Sequence, residues 1–414
     1  MPVPLLLECN VANEERKVNK GWTMKKILSD YIESYQDKLW DLGDKIFDYS
    51  EPSFQEVKSS ALLEQYLEQN GFAVEKGIAG LPTAFKAVYK NGQGGPAVGL
   101  LCEYDALEGL GHGCGHHLQG PAIVGAAKAI KDKLREKPYT LIIYGTPGEE
   151  TTGGKVRMVQ EGCFKDIDLA IMVHGGSATQ TDVKSMALIS ADVVFHGKTS
   201  HAAISPELGR SALDALLLTF NGIEFLREHV KDDTRIHYTV SAPVGPANAV
   251  PARAEGQFDL RSYNSIYLDE IIRRFENIVK GAALMTDTTY DISYGSRFES
   301  KIPAYQLNRL LMANAKLVGA PNLKPDRERT GSTDFGNVVF QIPGACVRVA
   351  FVPDGTASHS QGFLDGGKSE AGHNMIAYAA KIVAMTVYDL VDNPVLVDEI
   401  KKEFTRIKQE MGKE

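Results

Sequence analysis

Apolar residues fall along this chain in two rhythms. Between Met24 and Tyr49, the positions Ile27, Tyr31, Tyr35 and Leu39 recur near helical spacing and predict one helix. Val57 to Asn70 predicts a second, stopped by Gly71. Short apolar runs then replace the helical pattern. Ala84–Tyr89 and Ala97–Glu103 read as strands, separated by the Gly-rich turn Asn91–Gly95. A helix over Ala122–Leu134, a strand over Thr140–Tyr144, a helix over Gly153–Glu161 and a strand over Leu169–Val173 follow. Strands alternating with helices predict an α/β domain built on a mixed, mainly parallel sheet.

The stretch from Leu188 to Arg297 has a different order. It reads strand (Leu188–Phe195), helix (Ala212–Glu228), strand (Arg235–Val240), strand (Ala254–Arg261), helix (Leu268–Ala283), strand (Thr289–Tyr294). That β-α-β-β-α-β sequence is the ferredoxin-like α+β pattern. The first rhythm then resumes with a helix over Tyr305–Val318, a strand over Cys346–Phe351 and a helix over Ser369–Leu390. The expected organisation is a larger α/β domain over 24–187 and 298–414, interrupted by a smaller domain over 188–297 that acts as lid and dimerisation unit. Residues 1–23 form an extension with no assigned role. Its apolar start, Met1–Leu7, lacks the basic flank and small-residue cleavage site of a signal peptide.

Composition narrows the function classes. The chain has 414 residues, enough for two cores, with 43% hydrophobic and 24% charged residues, as in soluble globular proteins. A net charge of −8 and the lack of a Lys/Arg stripe argue against a nucleic-acid partner. No apolar run is long enough to predict a membrane span. Five cysteines suggest no disulfide framework, so a reducing, cytoplasmic setting is expected.

The histidines point to chemistry. Five of the ten follow predicted strands of the larger domain: His112, His116, His117, His174 and His359. Ligand sites of open α/β sheets form beyond the carboxyl ends of their strands. In the loop Asp105–His117, Cys114 and His116 are two residues apart among glycines and offer a thiolate and an imidazole to a metal ion. The same stretch also reads as a glycine-rich turn around a buried cysteine. The loop Gly145–Thr152 carries Glu149 and Glu150. Adjacent side chains diverge, which would let one bind a metal while the other takes a proton from water. The alternative is an acidic first turn of the next helix. His174 ends an apolar strand and His359 precedes the last long helix; a capping histidine and a surface loop are the plainer readings. Together the four loops supply enough donors for two divalent ions. In the smaller domain His201 sits where a donor could stabilise an oxyanion. Arg261 could clamp a substrate carboxylate, or simply form a surface ion pair.

These residues resemble a known family. Glu103-Tyr104-Asp105-Ala106-Leu107, Gly113-Cys114-Gly115-His116, Gly148-Glu149-Glu150, His174-Gly175, Ser200-His201-Ala202-Ala203, Gly331-Ser332-Thr333-Asp334-Phe335-Gly336-Asn337 and His359 are similar to the clan MH metallopeptidases of the aminoacylase and carboxypeptidase G type. The resemblance is stronger to their amidohydrolase branch, which includes p-aminobenzoyl-glutamate hydrolase and the Xaa-Arg (β-alanyl-lysine) dipeptidases. It implies Cys114, His116, Glu150, His174 and His359 as ligands of two ions, zinc or manganese. It implies Glu149 as general base, Asp105 as support of the metal site and His201 as the group polarising the scissile carbonyl. It implies substrate contacts at Asn248, Arg261, Gly331 and Ser332. The implied activity is hydrolysis of an amide bond in a dipeptide or N-acyl amino acid by a homodimer. Three positions depart from the usual pattern: His117 stands for Asp or Asn, Gly113 for Ala or Met, and Glu108 for Pro. A thiol hydrolase using Cys114 as nucleophile is a rival, disfavoured by the acids nearby. A metal-binding regulatory protein without turnover is another.

Overall fold

The computed structural model of the chain describes residues 21–413, so most of the expected 1–23 extension lies outside the described residues. The described chain is helical over 21–33 and again over Gln36–Tyr49, where the spacing predicts a single helix. The interruption has a local cause. The Ser34 hydroxyl donates to Tyr31 O at 2.6 Å, and Tyr35 takes φ −135°. A hydroxyl that bonds nearby carbonyls competes with the helix ladder, and the Tyr35 hydroxyl anchors the break by donating to Gly125 O at 2.8 Å.

Among the described residues twelve strands follow in chain order: β1 (Ala73–Lys76), β2 (Phe85–Asn91), β3 (Ala97–Cys102), β4 (Tyr139–Gly145), β5 (Leu169–Gly176), β6 (Gln180–Ser185), β7 (Ala187–His196), β8 (Arg235–Val240), β9 (Arg253–Ser262), β10 (Thr289–Tyr294), β11 (Arg327–Thr330) and β12 (Gly344–Ala350). The described chain divides into two compact units, one of 21–183, 303–328 and 341–405, the other of 184–302, 329–340 and 406–413. The expected insert, 188–297, lies within the second unit, which also takes in two segments from the C-terminal third.

The larger unit is built on an eight-stranded sheet of order β1-β2-β4-β3-β5-β12-β6-β11. Its centre, β4-β3-β5-β12, is parallel throughout. The flanking pairs β1–β2, β2–β4 and β12–β6 are antiparallel. Every residue of β5 is buried, as a parallel strand covered on both faces requires. Strands β1, β6 and β11 have no counterpart among the predicted elements, because they are short and mostly polar. The helix Glu370–Asp392 is long and apolar enough to cross a membrane by length and composition, contrary to the expectation that no run is. It is a core helix, with 83% of its apolar window buried.

In the smaller unit the sheet order is β10-β7-β9-β8, all antiparallel. Helices Ala212–Arg227 and Ser265–Thr286 complete the ferredoxin-like arrangement read from the sequence. Burial alternates along β7 and β9, so one face of this sheet is packed and the other is open. Phe258 of β9 is fully buried, with its ring 5.0 Å from that of Phe275 and 5.7 Å from that of Phe220. Phe258→Ala leaves a cavity there and is expected to cost this unit about 3–5 kcal/mol, read as a lower midpoint in urea unfolding.

Candidate metal centre

The four central strands β4, β3, β5 and β12 are parallel neighbours, so their carboxyl ends share one rim. The loop after β3 delivers Cys114 and His116, and the loop after β4 delivers Glu149 and Glu150. His174 is on β5 itself, and His359 follows β12. Gly115, at φ +84°, makes the sharp entry to the 3-10 turn His116–Leu118.

These side chains form two sets of three donors. The donor atoms of Cys114, His116 and His174 all lie within 4.8 Å of one another, and so do those of Cys114, Glu150 and His359. The Cys114 sulfur belongs to both sets. Contrary to the expectation that adjacent acids diverge, Glu149 and Glu150 each bring an oxygen within 4.8 Å of a His116 nitrogen. Cys114 Sγ is 3.6 Å from His174 Nε2, and His359 Nε2 is 3.4 Å from Glu150 Oε1. His359 is the most open of these groups, with half of its side chain exposed, and its backbone is left-handed at φ +60°. Its N–H donates to Gly113 O at 2.8 Å, which ties the two ligand-bearing loops together.

The ring orientations follow from their partners. His116 Nδ1 lies 2.9 Å from Asp105 Oδ1 and 3.2 Å from Asp105 O, both acceptors, so the proton is on Nδ1. Nε2 is buried and makes no hydrogen bond, with Glu103 Oε2 3.3 Å away. Glu150 Oε1, 3.9 Å away, is buried without a hydrogen-bond partner as well. His174 Nδ1 lies 2.7 Å from Gly175 O and 3.0 Å from the Arg348 guanidinium, which turns its Nε2 toward the sulfur. Two buried polar atoms without hydrogen bonds, beside a thiol and two further imidazoles, are a donor set that fits a divalent cation. Asp105 does more than orient His116. Its Oδ2 accepts from the Ser53 hydroxyl at 2.9 Å and from Glu150 N–H at 3.0 Å, so one carboxylate fixes three pieces of the site.

Charge is arranged around these donors. Burial opposes protonation of His116, but Cys114, Glu103 and Asp105 outweigh it and hold the imidazole well above its ordinary range. Burial, and then the Arg348 guanidinium, hold His174 well below. Burial pushes the Cys114 thiol up to about 12, against the pull of His116. A thiol so protected is a poor free nucleophile.

Two further participants have no role that the sequence pattern assigns. Glu103, almost wholly buried, accepts from Lys155 and from Gln119, each at 2.7 Å, and its Oε2 lies 3.3 Å from His116 Nε2. Arg348 of β12 is the Cα partner of His174 on β5. It donates to Gly175 O at 3.1 Å and pairs with Asp182 at 3.0 Å. A charged residue inside the apolar run Cys346–Phe351 is the signal that could have found it.

The third imidazole beside the ligand pair, His117, is not part of the cluster. Its Nε2 donates to Gly367 O at 3.1 Å and its ring packs edge-on against Phe47. The remaining sequence candidates lie in the smaller unit. There Arg261 donates to Ser332 at 3.2 Å and pairs with Asp259 at 3.0 Å. Gly331 O accepts from Met186 N–H. His201 and Asn248 are exposed and flank one antiparallel contact, in which Asn248 O accepts from Ala202 N–H at 3.1 Å.

Comparison with known proteins agrees with this geometry. Residues 97–383 match the model of peptidase family M20/M25/M40. The chain is 32% identical to a subunit of p-aminobenzoyl-glutamate hydrolase from Escherichia coli (strain K12), covering 92% of this chain and 95% of that protein. It is 30% identical to the Xaa-Arg dipeptidase of Mus musculus, covering 92% of each. In fold it is similar to a dinuclear metal-binding peptidase of the M20 family from Bacillus subtilis, with a TM-score of 0.69 at 16% identity over 87% of this chain and 99% of that one. It is similar also to an aminobenzoyl-glutamate utilization protein from Klebsiella pneumoniae, with a TM-score of 0.68 at 18% identity over 87% and 98%. With the family model spanning well over half its length, this chain belongs to peptidase family M20/M25/M40, a family of hydrolases.

Proposed function

We propose that the chain is a two-metal amidohydrolase that cleaves the amide bond of a dipeptide or an N-acyl amino acid. The observation that carries this is the pair of three-donor sets sharing the Cys114 sulfur. Cys114, His116 and His174 would hold one ion, and Cys114, Glu150 and His359 the other. Zinc or manganese, when bound, supplies Lewis acidity and makes a water acidic enough to attack at neutral pH. The Bacillus subtilis relative, itself named a dinuclear metal-binding peptidase, supports a site for two ions.

Glu149 is assigned as general base. It takes the proton of the attacking water and returns it to the leaving amine. Asp105 orients His116 and the Glu150 backbone. His201 is assigned to polarising the scissile carbonyl, and Arg261, Asn248, Gly331 and Ser332 to holding substrate, on the sequence pattern. The substrates for which the two relatives are named, p-aminobenzoyl-glutamate and Xaa-Arg, are both amides of an amino acid. An acyl or aminoacyl group joined to an amino acid is therefore the class to screen, with a homodimer as the expected working unit.

Purified protein is expected to carry about two metal equivalents and to lose turnover on dialysis against a chelator. Full activity without metal would sink the assignment and favour the Cys114 thiol. Glu149→Ala should lower kcat by about 10²–10⁴-fold while elemental analysis still finds the metal. The shared sulfur separates the ligand variants. Cys114→Ala should lower occupancy of both ions, whereas His174→Ala should lower that of one, measured by titration of the apoprotein. Asp105→Asn, which leaves every donor in place, should weaken metal affinity by about 10–100-fold.

A further inference from the structure

The loop from Thr146 to Gly153 carries Glu149 and Glu150 but belongs to neither β4 nor the helix Gly154–Gln160. Two of its backbone N–H groups, one on each side of Glu149, donate to buried carboxylates. Glu150 N–H donates to Asp105 Oδ2 at 3.0 Å. Gly148 N–H donates to Glu56 Oε1 at 2.8 Å. The other Glu56 oxygen accepts from the Thr83 hydroxyl at 2.9 Å.

Glu56 has an unusual placement for an acid. It stands at the N-cap of helix Val57–Gln69, yet its side chain makes no capping bond. It is fully buried instead, and burial pushes its carboxyl up to about 7. A buried acid turned away from its own helix needs partners, and those it has belong to two other segments. Gly148 itself is constrained. It lies at φ +72°, and a Cβ there would come within 2.4 Å of the Phe54 ring. Phe54, two residues before Glu56, is also left-handed, at φ +63°. One short segment, 54–56, thus shapes the loop by a ring contact and by a carboxylate.

We propose that Glu56 is a positioning residue for Glu149, holding the Gly148 amide so that the loop presents the Glu149 carboxylate in one orientation. The inference rests on the reading of Glu149 as general base. Misplacement of such a group by about 1 Å is enough to cost on the order of 10²-fold in rate. Glutamine at position 56 keeps an acceptor for Gly148 N–H and an amide that can donate to the Thr83 hydroxyl, whereas leucine keeps neither bond.

The test uses metal-loaded enzyme and an amide substrate from the screen. Glu56→Leu should keep its metal and its thermal midpoint within a few degrees. Its kcat should fall about 10–100-fold with KM within about twofold. Amide exchange over 146–153 should speed about tenfold with the rest of the larger unit unchanged. Thr83→Val, which removes only the other bond, should stay within about threefold of the parent kcat. The wild-type protein gives a reading that needs no variant: the Gly148 amide should be protected, although it lies in a loop. An unprotected Gly148 amide, or a Glu56→Leu enzyme with parental kcat and exchange, overturns the proposal. So does a loss of kcat explained by lost metal. A wild-type enzyme that holds no metal and cleaves no amide instead overturns the functional reading, while the exchange data still test whether Glu56 holds the loop.

Discussion

Parallel pairing of four neighbouring strands is the constraint on which this protein depends. Parallel strands cannot be joined by tight hairpins, so each crossover returns the chain to the opposite end of the sheet before the next strand begins. The carboxyl ends of β4, β3, β5 and β12 therefore share a rim, and the loops leaving them meet there. Residues from 103 to 359 become neighbours although most of them are far apart in sequence. The apolar content of those strands, such as the fully buried β5, stabilises the pairing that makes the rim.

Around the rim, buried carboxylates organise the donors. Asp105 accepts from His116, Ser53 and the Glu150 backbone, so an imidazole and a carboxylate from different loops answer to one group. Glu103 sits beside His116 Nε2, with its charge balanced by Lys155. Arg348, balanced by Asp182, sits behind His174. Each of these two buried charges has an opposite partner, as the low local dielectric demands. What remains unsatisfied, His116 Nε2 and Glu150 Oε1, is what a cation would complete.

Much of this was readable in the sequence, for specific reasons. Cys114, His116, Glu150, His174 and His359 stand just after or at the end of apolar strands, and strand ends are where alternating α/β chains converge. The ferredoxin-like insert was readable because its strands and helices are long and regularly ordered. What escaped has a different character. Glu56, Ser53 and Asp182 act through partners far along the chain, and no local pattern reports such pairings. Strands β1, β6 and β11 are short and mostly polar, and owe their existence to the edges they pair with. The break at Ser34 hides in a run whose apolar spacing continues across it.

His116 and His117 are adjacent and yet serve opposite sides of the chain. One faces the donor cluster; the other faces Phe47 and the carbonyl that ends the helix Gln361–Gly367. A single 3-10 turn thus separates coordination from packing. Position 117 is released from ion choice and answers instead to the shape and one acceptor of its neighbours. A substitution at 117 is therefore felt first at that helix end, through the Phe47 ring and the Gly367 carbonyl.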